Sequence, residues 1–139
     1  MNIEYKWLTP SDAATFDRVA EDVFDESIHP ARLAAYLADP KHHMIVALAA
    51  GEVVGQVAGV VYGHPDKALE LFIDEVGVAP AFRRQGIARK LFNAMLERGK
   101  ALGCEEAWVG TELDNVPARG LYESFDVPPE QFVLYTYKL

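Results

Sequence analysis

The run Arg83-Arg84-Gln85-Gly86-Ile87-Ala88-Arg89 stands directly after a β-rich stretch and directly before an apolar pattern of helical period. That order has a chemical meaning. The first amides of a helix have no partner inside it, and the helix dipole places partial positive charge at the same end. A phosphate can therefore settle there if no side chain intrudes. Gly86 and Ala88 keep the approach open, and Arg83, Arg84 and Arg89 add positive charge around it.

The elements that must position this loop show as patterns. Ile3 to Leu8 alternates like a strand, and Thr9-Pro10-Ser11-Asp12 offers turn and cap chemistry before Ala13 to Phe24, whose apolar spacing predicts a helix. Pro30 opens a second helix, Ala31 to Ala38, which Asp39-Pro40 closes. His43 to Ala49, Val53 to Tyr62 and Leu69 to Val78 are β-rich runs that predict an antiparallel meander. Gly77, inside the third run, predicts a bulge there, because glycine in a strand interior often marks one. Ile87, Leu91, Phe92, Met95, Leu96 and Leu102 share one stripe of a helix from Gly86 to Leu102, with Gly103 as its stop. Ala107 to Thr111 reads as a short strand, Asn115 as the cap of a helix to about Ser124, and Phe132 to Lys138 as a last strand. The order β-α-α-β-β-β-α-β-α-β predicts one α/β domain over 1–139 with a mixed sheet.

The totals narrow the function classes. At 139 residues the chain suits one domain, and no apolar run approaches the roughly 20 residues that span a bilayer. The N-terminus has neither the basic start nor the apolar stretch of a signal peptide, so a cytoplasmic location is expected. A net charge of -8 opposes a nucleic-acid partner and favours the approach of a cationic small molecule. The single cysteine, Cys104, cannot form an internal disulfide and reads as a small buried hydrophobe. No His/Cys spacing fits a zinc site, so no metal is expected.

The loop also fits the pattern Arg or Gln, two residues, Gly, one residue, then Gly or Ala, with Arg83, Gly86 and Ala88 in those places. It resembles the pyrophosphate loop of the GNAT superfamily of N-acetyltransferases. A second signature, Asn-x-x-Ala-x-x-Leu-Tyr, recurs as Asn115, Ala118, Leu121 and Tyr122, and the element order is that superfamily's along nearly the whole chain. The resemblance implies acetyl-CoA as cofactor. Its pyrophosphate would lie on Arg83, Arg84, Gln85, Gly86, Ile87, Ala88 and Arg89, and its pantetheine arm beside Glu75-Val76-Gly77-Val78, with hydrogen bonds from the backbone of Val76 and Val78. Asn115 would touch the same arm.

Acetyl transfer needs an unprotonated amine and a way for the thiolate to leave. Glu75 is the candidate base: an unperturbed carboxylate is too weak, but partial burial strengthens it. Tyr122 is matched to the superfamily's usual tyrosine and is the candidate donor to the thiolate. Full proton transfer would run uphill by roughly 2 kcal/mol, so a hydrogen bond that steadies developing charge is the expected role.

Phe72 to Val78, the loop through Ala88, Asp114-Asn115 and Leu121-Tyr122 are together most similar to the short class I aminoglycoside 3-N-acetyltransferases. That likeness implies a polycationic acceptor, with Asp74, Glu112 and Asp114 binding it near Glu75 and with Glu21, Asp22, Asp25 and Glu26 on a rim. A polyamine, an amino acid, a protein N-terminus or a lysine is the alternative acceptor. A non-catalytic coenzyme A-binding module and an unrelated phosphate-binding domain are alternatives of another class. Glu123-Ser124-Phe125-Asp126-Val127-Pro128-Pro129 departs from the superfamily's usual Glu-Lys-Leu-Gly-Phe, so the turn before the last strand must differ. That strand is apolar enough to pair with a neighbour, and the resemblance implies a homodimer.

Overall fold

A computed structural model describes residues 2–139. The core is a five-stranded sheet in the order β1 (Ile3–Trp7), β2 (His42–Ala49), β3 (Glu52–Tyr62), β4 (Glu70–Val78), β5 (Glu106–Trp108). The first four strands are antiparallel neighbours, β2 to β3 and β3 to β4 through short connections and β1 to β2 across the long segment that holds α1, and β5 returns parallel to β4 after a helical crossover. Three helices complete the domain: α1 (Pro30–Ala38), α2 (Ile87–Ala101) and α3 (Val116–Glu123). No helix among the described residues is long and apolar enough to cross a membrane.

The two faces of the sheet bury separate clusters. Ile87, Leu91, Phe92 and Met95 of α2 sit on Val54, Val57, Leu71 and Ile73, which is the apolar stripe read from the sequence. Leu102, expected on that stripe, is 41% exposed beyond the last turn. On the opposite face Met44, Val46, Val53 and Ala58 pack beneath Phe16, Val23, Leu33 and Tyr36. Cys104 is half-buried at the edge of the α2 cluster, where burial raises its thiol pKa.

Four expectations are corrected. The helix expected over Ala13 to Phe24 is only a 3-10 turn, Ala13–Asp17. Asp12 does not cap it, because its carboxylate accepts from the Thr9 amide at 2.7 Å and hydroxyl at 2.8 Å. The chain then pairs with β3 instead: the Val53 amide donates to Arg18 O and the Ala20 amide to Val53 O. That tertiary ladder overrides the helical spacing, and Asp22, at φ 64°, cannot lie in a helix. The strand expected over Ala107 to Thr111 is Glu106–Trp108, three residues beside Glu70–Phe72.

The bulge is not at Gly77, which pairs in register with Gln56; it lies at Asp74, which is skipped between the pairs Ala58↔Glu75 and Gly59↔Ile73. Glycine is required at 77 for another reason, since a Cβ there would stand 2.2 Å from the carbonyl oxygen of Val23. Finally, Phe132 to Lys138 forms no strand within this chain and is exposed throughout, because no edge of its own sheet is paired with it.

Candidate active site

β4 is the strand on which the site is built. Its parallel partner leaves it after Phe72↔Trp108, so from Ile73 onward its outer edge faces a gap. The Ala79 amide donates to Val54 O at 2.8 Å, one step beyond the pair Gly55↔Val78. Bonded and non-bonded pairs alternate along an antiparallel ladder. Val78 and Val76 are therefore the non-bonded positions, and their N–H and C=O groups point away from β3 into the gap. One of the four is engaged, Val78 O, which accepts from Arg83 Nε at 3.2 Å.

The loop expected to take phosphate closes the inner end of that gap. A 3-10 turn, Pro80–Phe82, leads to Arg84 at φ 62° and Gly86 at φ 79°. Gly86 is the N-cap of α2, and nothing lies within 4 Å of where its Cβ would be. Its left-handed backbone suits glycine, and its open surroundings leave the first amides of α2 uncovered. Arg83, Arg84 and Gln85 are exposed, Ile87 is buried in the core and Ala88 is half-buried. Arg89 is turned aside: its guanidinium bonds Ser124 Oγ and lies 4.4 Å from the centre of the Phe125 ring. A shallow cavity of about 500 Å³ runs here among Gln85, Gly86, Arg89, Lys90, Asn93 and Phe125.

The bulge decides where the two acids of β4 point. Leu71 and Ile73 face α2, and Val76 and Val78 pack on that same cluster; the extra residue between them leaves Asp74 and Glu75 together on the α1 face. Burial raises the pKa of Glu75, and the charges of Asp74 and Asp25 raise it further. Burial raises that of Asp74 too, partly offset by a bond from its own amide and by His42.

Two residues not singled out in the sequence belong to this face. Tyr36 of α1 stacks on His42 of β2 with ring centres 4.4 Å apart, and both its hydroxyl and His42 Nδ1 are buried without a hydrogen-bond partner. Burial, then the charges of Asp74 and Glu75, pushes the Tyr36 phenol well above its ordinary range. Only the packing of α1 on the sheet joins these residues. The one sequence signal was a tyrosine on the inner side of a short helix. Orphaned buried polar atoms are uncommon, and these two face the carboxylates.

Tyr122 is half-buried on α3 against Phe92, ring centres 5.2 Å apart, and burial raises its pKa. Asn115 caps α3, its side chain accepting from the Ala118 amide at 3.2 Å. Glu112 and Asp114 are exposed in the loop before α3, and the acids that act electrostatically on Glu75 are Asp74 and Asp25 rather than these two. The rim acids Glu21, Asp22, Asp25 and Glu26 lie exposed on the irregular segment 18–28, not along a helix.

A mixed sheet whose parallel edge pair parts after three residues, with a left-handed glycine opening the intervening helix, defines an α/β domain with a helix start beside a gap between strands. The chain belongs to the acetyltransferase (GNAT) family, whose profile matches residues 5–126. Among solved structures it is similar to an aminoglycoside acetyltransferase from an uncultured soil metagenomic sample, in complex with sisomicin. That likeness has a TM-score of 0.83 at 22% identity over 99% of this chain and 96% of the other. It is similar as well to the aminoglycoside N-acetyltransferase AAC(6')-Iy in complex with CoA, TM-score 0.76 at 19% identity over 99% and 95%. A ribosomal-protein-alanine N-acetyltransferase from Brucella melitensis biovar Abortus 2308 matches with TM-score 0.75 at 17% identity over 99% and 100%. At these identities the structures share the fold, and their acceptors differ.

Proposed function

We propose that this protein transfers acetyl from acetyl-CoA to a primary amine of a small cationic acceptor, with an aminoglycoside as the first candidate. The carrying observation is one strand with two uses: β4 offers free backbone groups at its edge and, on its α1 face, two carboxylates that its bulge sets side by side. Acetyl-CoA fits the edge, because the uncovered start of α2 and the arginines 83 and 84 suit a diphosphate and the Val76 and Val78 groups suit an amide-bearing arm. When bound, it supplies an acetyl group activated as a thioester.

The chain's own residues then have distinct tasks. Asp74 and Glu75 attract the ammonium form of the acceptor, and Glu75, made more basic by burial and by Asp74, takes its proton. The Val76 amide, which points away from β3, would donate a hydrogen bond to the thioester carbonyl. Tyr122 would hold the leaving sulfur; its raised pKa makes complete proton loss still less favourable, so its role would be that of a hydrogen-bond donor. Asn115 fixes the start of α3 and so the place of Tyr122. The sisomicin complex of one structural relative and the acidic α1 face support a polycationic acceptor.

The test is release of free thiol from acetyl-CoA with a panel of aminoglycosides, polyamines, amino acids and peptides. Turnover with an aminoglycoside, reduced roughly 100- to 10,000-fold by Glu75→Gln, is the expected result. Turnover only with another amine removes the antibiotic acceptor. Binding of coenzyme A without transfer to any amine removes the enzymatic reading.

A further inference from the structure

Among the described residues, three buried side-chain polar atoms lack a hydrogen-bond partner: the Tyr36 hydroxyl, His42 Nδ1 and Gln56 Oε1. All three belong to one face of the sheet. His42 continues the alternation of Met44 and Val46, which pack beneath α1, and Gln56 is level with Val46. Asp74 and Glu75 stand on the same face. A polar atom shut away from water and left unpaired is destabilising, so three of them gathered beside two carboxylates call for a cause.

Gln56 has a structural one, since its Nε2 donates to Val23 O. The Tyr36 hydroxyl and His42 Nδ1 have no such duty. Their rings are stacked, 4.4 Å between centres and 14° between planes, which keeps both atoms within reach of one small ring. The charges of Asp74 and Glu75 act on Tyr36, and His42 acts on Asp74. A group that meets this pair therefore stands next to an ammonium held by the carboxylates. α1 covers the pair lightly: it has nine residues, of which only Leu37 is buried. A small outward shift of α1 uncovers both atoms at little loss of apolar contact.

The donor and acceptor inventory selects the group. A phenol carries one hydrogen to donate, and Nδ1 of a neutral imidazole accepts in one tautomer. A hydroxyl serves both at once, accepting from Tyr36 and donating to His42. A second ammonium carries hydrogens only and leaves the Tyr36 O–H without an acceptor, and an alkyl carbon serves neither atom.

We propose that Tyr36 and His42 are the specificity-determining pair of the acceptor site and read a hydroxyl next to the reacting amine. The acceptor is then a hydroxylated ring amine, an aminocyclitol or amino sugar, in preference to a polyamine or a peptide. This rests on the acetyl-transfer reading above.

Two probes of equal charge test it: 2-deoxystreptamine, and cis-1,3-diaminocyclohexane, which keeps the ring and both amines but has no hydroxyls. They are compared as substrates or, where only a larger amine turns over, as inhibitors competing with it. The expected preference for 2-deoxystreptamine is on the order of a hundredfold or more, because a site built to bond a hydroxyl strongly rejects the analogue that lacks it. Tyr36→Phe and His42→Phe, which keep the stacked rings, should each weaken 2-deoxystreptamine roughly 5- to 100-fold, in KM rather than kcat. Diaminocyclohexane and coenzyme A affinity should be unchanged. Tyr36→Phe removes an unpaired buried hydroxyl, so its Tm should not fall. Equal use of the two probes by the unaltered protein overturns the proposal, and so does a preference that survives both substitutions. Transfer to no amine at all overturns the acetyl-transfer reading, and this pair's role with it.

Discussion

Gly77→Ala tests whether the segment 18–28 is seated on β4 as described. A Cβ at position 77 would lie 2.2 Å from Val23 O and 3.2 Å from Val23 C, both backbone atoms that cannot rotate away. The segment must therefore retreat by roughly 1 Å to restore ordinary contact. Val23 O is also the acceptor for Gln56 Nε2, at 3.4 Å, and Gln56 is 1% exposed with its Oε1 already unpartnered. Overpacking costs roughly 1–3 kcal/mol, and orphaning a buried amide donor roughly 1–3 kcal/mol more. A loss of about 2–6 kcal/mol in urea unfolding is expected. Gly120→Ala, in α3 with nothing within 4 Å of the new Cβ, is the opposite case and should gain roughly 0.5–1 kcal/mol. If Gly77→Ala changes stability by less than about 0.5 kcal/mol, the size of an ordinary surface substitution, the account of this contact is wrong. The same variant should weaken acceptor binding more than coenzyme A binding, because the displaced segment carries Asp25 and borders the α1 face.

Other outcomes follow from the site. Tyr122→Phe should lower kcat on the order of a hundredfold while leaving coenzyme A affinity, measured by calorimetry, unchanged. Asp74 and Glu75 hold protons more tightly folded than unfolded. Their contribution to stability is therefore present below the ordinary carboxylate range and lost as pH rises through the raised values. Asp74→Asn should accordingly raise the Tm at pH 7, and the gain should vanish in acid; a lower Tm at pH 7 would contradict that sign. Asn115→Ala should cost about 1 kcal/mol in thermal or urea unfolding through loss of the α3 cap.

What the sequence revealed and what it concealed divide along physical lines. The strands β2, β3 and β4, the apolar stripe of α2 and the Asn115 cap are local, and local patterns disclosed them. The segment after Asp17 has helical spacing but is claimed by Val53, a partner distant in sequence. The bulge had a signal of its own: the residues facing α2 change from Leu71 and Ile73 to Val76 and Val78, and the break falls at Asp74. Gly77 drew attention instead, because a glycine in a strand has more than one cause. Tyr36 and His42 meet only through tertiary packing, which no spacing in a single sequence encodes.

The extra residue at Asp74 has a consequence beyond adding an acid. A bulge also sharpens the coil of its strand, and β5 departs just where β4 begins to turn. One inserted amino acid thus doubles the charge on the α1 face two residues beyond the last pair between β4 and β5. A deletion at this position would restore a plain ladder between β3 and β4 and strip half of the negative pair in a single event.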